Sequence, residues 1–473
     1  MRRQVTYATT DTSPCGGRRV VVAELLLFTL LVAAACGVNP IHEPPPLLPT
    51  ATATELPVPA ALADRSALYY LVSDDPLKGT VAGALALSDG SVLWRTPVVQ
   101  GLTHTAAIGG GIVYIGEGSQ GRLLPDQFPM EALSEANGAL LWQSRFPATA
   151  VAPLAENGDR VFVQVDGLIP PPTPVPSPNS EPTPAPPPPP NAILALRAGQ
   201  SAPLWRLDVP GDILPWATAD DSTLYAIVSG LDPSAPLFGD LTAIDTVDGH
   251  VRWQLPLQSP PPSYSVPVES DGVLYFSEQY CACRTLIPST MLAVRASDGK
   301  VLWQKTAPDG VVTAGTVVTG GMVSYDFVRA NNDPGGGIIA LRAADGSPGW
   351  QVSWPSAVPD GFAGGEGVLY AATVAPSGQW GQLAVAAYDA QTGAQLFDRP
   401  VPQLPVQLDS PPGQGAFQEA GGTLYFVSPG NPIATGATAQ LVSVVLALRA
   451  SDGSLKWARR LDGDVEPSIF VVP

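Results

Sequence analysis

The chain has 473 residues, of which only 14% are charged, and its formal net charge at pH 7 is −18. This acidic balance argues against nucleic acid and anionic membrane surfaces as electrostatic partners, because both repel a negative protein. The simplest interpretation of the charge is solubility. The chain also contains only three histidines, which leaves few groups that titrate near neutral pH for acid–base catalysis.

The N-terminus has the features of a secretory leader. Arg18-Arg19 precedes the apolar run Leu25–Ala35, which is too short to span a bilayer. The run ends in the segment Ala33–Cys36, and small residues before a cysteine resemble the lipobox of bacterial lipoproteins, in which the cysteine is acylated. We therefore predict that residues 1–35 are removed and that Cys36 carries a lipid anchor on the extracytoplasmic side. The alternative is an ordinary cleaved signal in which Cys36 is incidental.

Residues 36–66 form a predicted tether. They are rich in proline and threonine, so they cannot bury a core and favour extended polyproline II conformations. A lipid anchor followed by such a spacer would hold the remaining residues, 67–473, away from the membrane.

One eleven-residue phrase occurs eight times in residues 67–473. Each copy begins with alanine and ends with an aromatic residue, and seven copies have glycine four positions before the aromatic. The third copy has Ser201 at the glycine position. The eight aromatic residues are Trp94, Trp142, Trp205, Trp253, Trp303, Trp350, Phe397 and Trp457. Their spacing of about fifty residues indicates a repeat architecture.

Each repeat contains four short runs typical of β-strands. An apolar run such as Gly321–Asp326 precedes the phrase, and a further run such as Thr316–Val318 precedes that. The phrase supplies two more runs, joined in most copies by Asp-Gly or Asn-Gly, which is the strongest short hairpin signal. Four antiparallel strands in each of eight repeats predict an all-β, eight-bladed β-propeller. The aromatic residue of each phrase is predicted to pack one blade against the next.

The ends of the repeat region predict how the ring closes. The repeats begin at the second strand of a blade, Ala67–Val72, and the chain ends with Ser468–Pro473, where every other repeat starts its first strand. The C-terminal strand is therefore predicted to complete the first blade, which removes the open sheet edges.

The alternating strand direction predicts that the insertions gather on one face of the propeller. The predicted insertions are Glu117–Glu131, Asp166–Asn191, Gly230–Asp240, Glu278–Thr290, Val328–Gly337 and Ser428–Val442. Because binding usually resides in variable loops on a rigid scaffold, we expect partner contacts around Gln127, Phe238 and Tyr280. Residues 168–191 are predicted to be a disordered proline-rich loop. This loop is either a ligand for an aromatic groove or low-complexity sequence without a binding role.

Cys281 and Cys283 lie in the insertion of the fifth repeat. Outside the cytoplasm, paired cysteines oxidise readily, so a disulfide is the first interpretation. Free thiols and redox or metal chemistry are the alternatives.

The phrase resembles the A-x-D-x-x-x-G-x-x-x-W repeat of the pyrroloquinoline-quinone-like propeller superfamily. The acidic position of that repeat is kept only in Asp245 and Asp389. The superfamily includes quinoprotein alcohol dehydrogenases and non-enzymatic members such as the lipoprotein of the outer-membrane β-barrel assembly machinery. In its dehydrogenases, adjacent cysteines lie against the quinone and carboxylates bind calcium; here Ala282 separates the cysteines and no matching carboxylate set is found.

Three functions follow as expectations. The first is an exported, lipid-anchored binding or scaffold protein without catalytic, cofactor-binding or metal-binding residues, whose partner is a protein or a cell-surface ligand. The second is an oxidoreductase that binds pyrroloquinoline quinone, and the third is an assembly factor for outer-membrane barrels. The second and third rest on the resemblance.

Overall fold

The computed structural model describes residues 66–75, 79–98, 103–118, 128–146, 148, 150–167, 191–209, 211–229, 239–257, 265–278, 281–282, 285–286, 289–307, 310–329, 335–377, 380–407, 416–435, 438–465 and 470–472. The chain divides into two units, Met1–Leu47 and Leu48–Pro473, and every described residue lies in the second. These residues form eight four-stranded antiparallel blades in a ring, which confirms the predicted eight-bladed β-propeller. None of them belongs to a helix that is long and apolar enough to cross a membrane.

The strands of each blade are named A to D from the axis outward. Blades 1 to 4 contain, in chain order, β1 (Ala67–Asp75), β2 (Gly79–Ala86), β3 (Val92–Pro97), β4 (Thr103–Gly109), β5 (Ile112–Gly118), β6 (Phe128–Ser134), β7 (Leu140–Phe146), β8 (Ala150–Asn157), β9 (Arg160–Asp166), β10 (Asn191–Arg197), β11 (Pro203–Val209), β12 (Ile213–Ala219), β13 (Thr223–Ser229), β14 (Gly239–Asp245) and β15 (Val251–Pro256). Blade 1 begins at its B strand, and each of the other three begins at its A strand.

Blades 5 to 8 follow the same plan. They contain β16 (Val268–Ser270), β17 (Val273–Glu278), β18 (Cys281–Ala282), β19 (Thr285–Leu286), β20 (Thr290–Arg295), β21 (Val301–Thr306), β22 (Gly310–Thr319), β23 (Met322–Arg329), β24 (Gly336–Arg342), β25 (Pro348–Trp354), β26 (Val358–Gly365), β27 (Val368–Ser377), β28 (Trp380–Asp389), β29 (Gln395–Gln407), β30 (Ala416–Ala420), β31 (Thr423–Thr435), β32 (Thr438–Arg449) and β33 (Leu455–Asp462). Strands β18 and β19 form a separate small hairpin between the B and C strands of blade 5.

The ring closes through the C-terminus, as the phase of the repeat predicts. Two last strands, β34 (Asp464–Val465) and β35 (Phe470–Val472), both pair antiparallel with β1 and together take the innermost position of blade 1. The buried Ser443 holds the chain where it crosses from blade 8 to blade 1: its Oγ donates to the Gly463 carbonyl and accepts from the Val465 N–H. The inner edge of blade 1 is therefore paired at Ala67–Tyr69 and at Val72 and Ser73.

The hydrophobic core is divided among the seams between blades. Eight clusters of buried apolar side chains occur, and each joins two neighbouring blades around the ring. A four-stranded blade alone has two apolar faces and no interior, so its stability depends on both neighbours. This explains why the sequence repeats its largest side chain at the position that faces the next blade.

The alanine of each phrase pairs directly with the aromatic residue of the same phrase. All eight pairs occur in register, for example Ala84 with Trp94 and Ala293 with Trp303, and each is followed by a one-residue bulge. These alanines are almost completely buried. A small residue opposite the ring leaves space for it, because directly opposed side chains in an antiparallel pair lie close together.

One predicted insertion has a different structure from the one expected. Ser428–Val442 is expected to be a loop, whereas β31 and β32 continue through most of it as a paired ribbon, as far as the pair Thr435 and Thr438. The pairing skips Pro429 and Gly430, which lie in a bulge between Ser428 and Asn431. A bulge accommodates proline and glycine without ending the ladder.

Candidate functional site

Seven of the eight predicted docking aromatics stack on the glycine of the next phrase around the ring. If Gly299 or Gly346 carried a Cβ, it would lie 2.6 Å from a ring carbon of Trp253 or Trp303, respectively. The ring closes in the same way, since Gly90 of blade 1 lies against Trp457 of blade 8. These glycines also have positive φ values. The glycine therefore serves the turn and the seam at once.

Most of the indoles also form a hydrogen bond across the seam. The Nε1 atoms of six tryptophans donate to a backbone carbonyl at the start of the next C–D turn, at 2.8 to 3.0 Å. The acceptors are Glu135, Thr246, Ala296, Ala343, Ala390 and Leu87. Five of the eight aromatics are less than a tenth exposed, and Trp253, Trp350 and Phe397 are half-buried. Seven aromatics therefore lie at seams between blades through stacking on a glycine, six of them also through this bond, and Trp142 lies in the apolar cluster between blades 2 and 3.

The seam between blades 2 and 3 departs from this arrangement. In the third phrase the glycine with positive φ is Gly199, two positions earlier than in the other copies, and Ser201 takes the usual place. The buried Nε1 of Trp142 has no hydrogen-bond partner. A shifted turn thus leaves one indole donor unsatisfied, which costs stability.

Several predicted site residues lie outside the described part of the chain. These are Cys36 with the leader and tether, the proline-rich residues 168–190, Gln127, Phe238, Tyr280 and Cys283. Cys281 is described through its backbone only, at the start of the small β18–β19 hairpin. The lipid anchor, the disulfide and the loop contacts therefore stay predictions.

The loop face, defined here as the face that carries the B–C and D–A connections, includes two described extensions of the blades. In blade 7, β27 and β28 pair as far as Ser377 and Trp380, and the end of β29 pairs with β28 there. In blade 8, Asn431–Thr435 pairs with Thr438–Val442 as a two-stranded ribbon. Within the described ranges, no third strand pairs with this ribbon beyond the single bridge from Val442 to Gly463. A strand edge without a partner presents backbone N–H and C=O groups that can pair with another strand.

A polar network holds the two ends of the proline-rich insertion on the same face. The Asn191 side chain accepts from the Gly167 N–H and donates to the Gly211 carbonyl at 2.9 Å. Gln164 donates to Asp166 at 2.8 Å and to the Ile213 carbonyl at 2.9 Å. Burial and, secondarily, the nearby Asp212 raise the pKa of Asp166. The base of the insertion is thus anchored between blades 3 and 4.

Asp360 lies on the inner strand of blade 7 and is not predicted as a site residue from the sequence. This side chain is 8% exposed, and its Oδ2 has no hydrogen-bond partner. It lies at the bulge between Pro359 and Gly361 in β26. Burial raises its pKa to about 6. No signal in the sequence marks this carboxyl, because its burial depends on the bulge and the neighbouring blade.

One group of three metal-ligating side chains occurs among the described residues: Asp245, Asp248 and His250, with ligand atoms within 4.8 Å of one another. It lies on the exposed C–D turn of blade 4. Arg252 donates to Asp245 Oδ2, and His250 Nδ1 lies 2.6 Å from Asp248 Oδ1. The guanidinium already neutralises Asp245, and the carboxylates also accept turn N–H groups. This arrangement is that of a capped turn rather than an open chelate.

The described residues do not fit the quinone alternative well. A calcium–quinone site needs several carboxylates together beside the cofactor, and within the described ranges the inner strands bring no such set together. Among the described inner strands, Asp360 is the carboxyl with a buried oxygen that lacks a hydrogen-bond partner. Burial raises its pKa, and no neighbouring charged group contributes to that shift. We therefore derive no reaction step through a quinone.

Comparison with known proteins agrees with the fold. Among solved structures, the chain is similar to apo AztD from Citrobacter koseri, with 13% identity, coverage of 86% of this chain and 97% of that chain, and a TM-score of 0.51. It also matches BamB from Moraxella catarrhalis (12% identity, 72% and 87% coverage, TM-score 0.42) and a quinohemoprotein alcohol dehydrogenase from Comamonas testosteroni (13%, 86% and 73%, 0.48). The likeness to AztD, at 13% identity, shows a shared fold and nothing about activity. No curated protein matches the sequence.

A family profile matches most of the repeat region. The profile is described as outer membrane protein assembly factor BamB, and it matches residues 77–283 and 238–410, which overlap and together span more than half of the chain. The chain therefore belongs to this family, within the pyrroloquinoline-quinone-like β-propeller superfamily.

Proposed function

We propose that the chain is an exported, lipid-anchored, non-enzymatic β-propeller that binds a protein partner through its loop face. The observation that carries this proposal is the two-stranded ribbon Asn431–Val442, whose edges are open to a further strand within the described ranges. Strand addition to such an edge is a common mode of protein recognition, because main-chain hydrogen bonds supply affinity. The extended hairpin of blade 7 lies on the same face and enlarges the surface.

The remaining features support the same proposal. The leader, Cys36 and the tether of residues 36–66 have the order expected for a surface-tethered protein. The repeated carboxylates of the C–D turns are engaged in turn geometry, as when Asp298 and Asp345 accept the N–H groups of Lys300 and Ser347. Hydrogen bonding to these N–H groups is a structural role that leaves the carboxylates little freedom for catalysis.

A photo-cross-linking residue tests the loop face directly. In the full chain expressed in its host, a benzophenone side chain at Gln440 in the ribbon is expected to cross-link to a partner. The same group at the exposed Lys300, on a C–D turn of the opposite face, serves as the matched control and is expected to give no adduct. Equal cross-linking from both positions would contradict the assignment of binding to the loop face.

Shortening the ribbon provides the complementary test. Replacement of Asn431–Leu441 by a two-residue turn is expected to preserve cooperative thermal unfolding, because the blade 8 ladder from Thr423 to Ser428 remains and the buried Val442 keeps its bridge to Gly463. Cross-linking from a second loop-face position, Gln382 in blade 7, is expected to fall at least tenfold. Unchanged cross-linking in a folded variant would show that the ribbon does not carry the partner.

Two measurements test the anchor and the absence of catalysis. The mature protein is expected to begin at an acylated Cys36 by mass spectrometry, and Cys36→Ser is expected to abolish the modification. The purified protein is expected to show no new absorbance band and no alcohol turnover with added pyrroloquinoline quinone and calcium. Turnover would establish the oxidoreductase alternative instead.

The family match favours a second candidate function, assembly of outer-membrane proteins. The matching profile is described by that role, and a tethered propeller that accepts strands would suit substrates that are themselves β-sheets. Loss of the chain in a host with an outer membrane is then expected to lower the amounts of folded barrel proteins, and the ribbon-shortened variant is expected not to restore them.

A further inference from the structure

The seam between blades 7 and 8 differs from the other seams at two positions. Phe397 replaces the tryptophan of the other phrases, so blade 7 places a smaller ring against Gly453 of blade 8. The position after the aromatic holds Ala458 in blade 8. The corresponding residues of blades 1 to 7 are larger and polar: Arg95, Gln143, Arg206, Gln254, Gln304, Gln351 and Asp398. Both blades therefore bring a smaller side chain to this seam than the corresponding blades bring to the other seams.

A cavity of about 460 Å³ lies at this seam. Its apolar lining includes Val401 from β29, Leu446 and Leu448 from β32, and Ala458 from β33. The first three are buried at 7%, 2% and 1% exposure, whereas Leu455, also in the lining, is 48% exposed. The cavity thus has an apolar floor and an opening at the outer rim of the propeller. Its volume falls within the range of ligand pockets, about 300–1,000 Å³.

The polar groups at the rim balance one another. Arg399 and Asp452 both line the cavity. Hydrogen bonds from Ser454 and, less strongly, the nearby Arg449 and Arg399 lower the pKa of Asp452, so this carboxylate is ionised at neutral pH. A balanced rim favours a neutral ligand over an anion or a cation. A guanidinium beside an apolar cavity can also stack on an aromatic face.

The other seams indicate what shape this site accepts. At six of them an indole lies on the glycine of the next C–D turn, whereas Gly453 meets the smaller ring of Phe397. The ring of Phe397 has no N–H and cannot donate a hydrogen bond across the seam. At six other seams an indole donates such a bond to a backbone carbonyl of the next blade, and the equivalent carbonyl here is that of Ala450. The architecture of the repeat is thus adapted to a bicyclic ring, and at this seam the chain itself supplies a smaller one.

We propose that this cavity binds one aromatic side chain, of tryptophan size, from a protein partner at the outer rim of blades 7 and 8. Aromatic side chains in desolvated pockets dominate many protein interfaces. The site includes the C–D turn residues Asp452, Gly453 and Ser454, so it lies apart from the loop face and does not depend on the function proposed above.

Ligand-observed ¹⁹F NMR tests this site with N-acetyl-5-fluorotryptophan amide titrated into the full chain. The probe is expected to bind saturably. Ala458→Gln restores the common residue of the repeat at a position that lines the cavity, and Phe397→Trp restores the larger ring against Gly453, which also lines it. Each variant is therefore expected to weaken binding at least tenfold. Both variants are expected to unfold at or above the wild-type temperature, since they restore packing used at the other seams. Unchanged affinity in either folded variant would overturn the proposal.

A variant that creates a second cavity tests the proposal through a gain of binding, so that the result does not depend on the loss of binding alone. The double substitution Trp253→Phe and Gln304→Ala recreates both truncations at the seam between blades 4 and 5, and it is expected to raise the number of bound probes from one to two. The single substitution Gln304→Ala, which leaves Trp253 in place, is the control and is expected to leave the number at one. A probe number that stays at one in the folded double variant would contradict the role of the two truncations.

Two further outcomes would contradict the assigned occupant. N-acetylleucine amide is expected to bind at least tenfold more weakly than the aromatic probe, and equal affinity would refute the preference for an aromatic ring. Sedimentation is expected to show no probe-dependent change of mass. A dimer that the probe dissociates would show that the occupant is a second copy of this chain.

Discussion

At the scale of single residues, the glycine of the repeated phrase meets two requirements that are separable by experiment. It adopts a positive φ, and it lies under an aromatic ring of the neighbouring blade. The Asp-Gly dipeptide predicts the first requirement, because hairpin turns need positive φ. The second follows only from the ring arrangement of the blades and was not predicted from the sequence.

Gly346→Ala and Gly158→Ala separate the two requirements. Both glycines have a φ of +65°, but a Cβ on Gly346 would lie 2.6 Å from Trp303, whereas a Cβ on Gly158 would meet nothing within 4 Å. We expect Gly158→Ala to cost about 1–2 kcal/mol for the left-handed backbone. Gly346→Ala is expected to cost roughly 1–3 kcal/mol more, because the indole must move. Equal losses in urea unfolding would show that the stacking contact has little energetic weight.

Asp360 predicts a pH dependence of stability. Burial raises its folded-state pKa to about 6, above the value near 4 expected in the unfolded chain. The stabilising contribution of the protonated form is therefore complete below about pH 4 and is lost as the pH rises through about 6. The difference corresponds to roughly 3 kcal/mol. Asp360→Asn is thus expected to raise the thermal midpoint at pH 7 and to leave it nearly unchanged at pH 4.

Asp345→Asn is the matched control with the opposite sign. Hydrogen bonds from Ser347 lower the pKa of this exposed carboxylate, so its contribution is present at neutral pH and is lost as the pH falls. The variant is expected to be less stable than wild type at pH 7 and to approach it in acid. A gain in stability at pH 7 for both variants would indicate a general charge effect in this acidic protein rather than the burial of Asp360.

At the scale of secondary-structure elements, the strands follow the sequence pattern closely, and the differences occur where turn residues lie inside a ladder. The predicted B strands Ala67–Val72 and Gly321–Asp326 begin within one residue of the observed strands β1 and β23. In contrast, Pro429, Gly430 and Pro432 predict a loop, but the strands continue through a bulge. Local turn chemistry cannot show whether a partner strand is present to continue the ladder.

The C–D turn of blade 3 allows a stabilising change at this scale. Replacement of residues 199–203 by Ser-Asp-Gly-Ser-Val gives the third phrase the turn of the first. The new turn is expected to place a glycine under Trp142 and to give its Nε1 the Ala198 carbonyl as an acceptor. A gain of about 1 kcal/mol is expected from a satisfied donor, measured as a higher midpoint of thermal unfolding. The same five residues grafted into a Trp142→Phe background should give a smaller gain, and an equal gain would exclude the hydrogen bond as its source.

At the scale of the whole molecule, the sequence predicts the closed ring for two reasons. The phrase occurs eight times, and the repeat region begins at the B strand of a blade but ends with an A strand. The docking positions of the candidate site follow from the same repetition. The cavity at the blade 7–8 seam does not, because it is lined by Ala458 and by Gly453, against which Phe397 packs, and Phe397 and Ala458 lie 61 positions apart in the sequence. Recognition of such a site requires knowledge of which phrase lies beside which residue of the next blade.

Closure of the ring gives a prediction that involves the whole molecule. Strand β35 contributes three paired positions to β1, Ala67 with Val472, Leu68 with Val471 and Tyr69 with Phe470, while β34 independently pairs with Val72 and Ser73. Deletion of residues 470–473 therefore removes part of the inner strand of blade 1 and leaves the rest, so the ring should still fold. With a net value of about 1 kcal/mol for each hydrogen bond, we expect a loss of roughly 3 kcal/mol and a lower thermal midpoint.

A synthetic peptide of residues 464–473 is expected to restore part of the midpoint in the deleted chain, whereas a peptide of the same composition in scrambled order is not. Because every blade packs on two neighbours, the loss should weaken the ring as a unit, and unfolding should stay a single transition. A separate early transition confined to blade 1 would show instead that the blades unfold independently and that closure does not couple them.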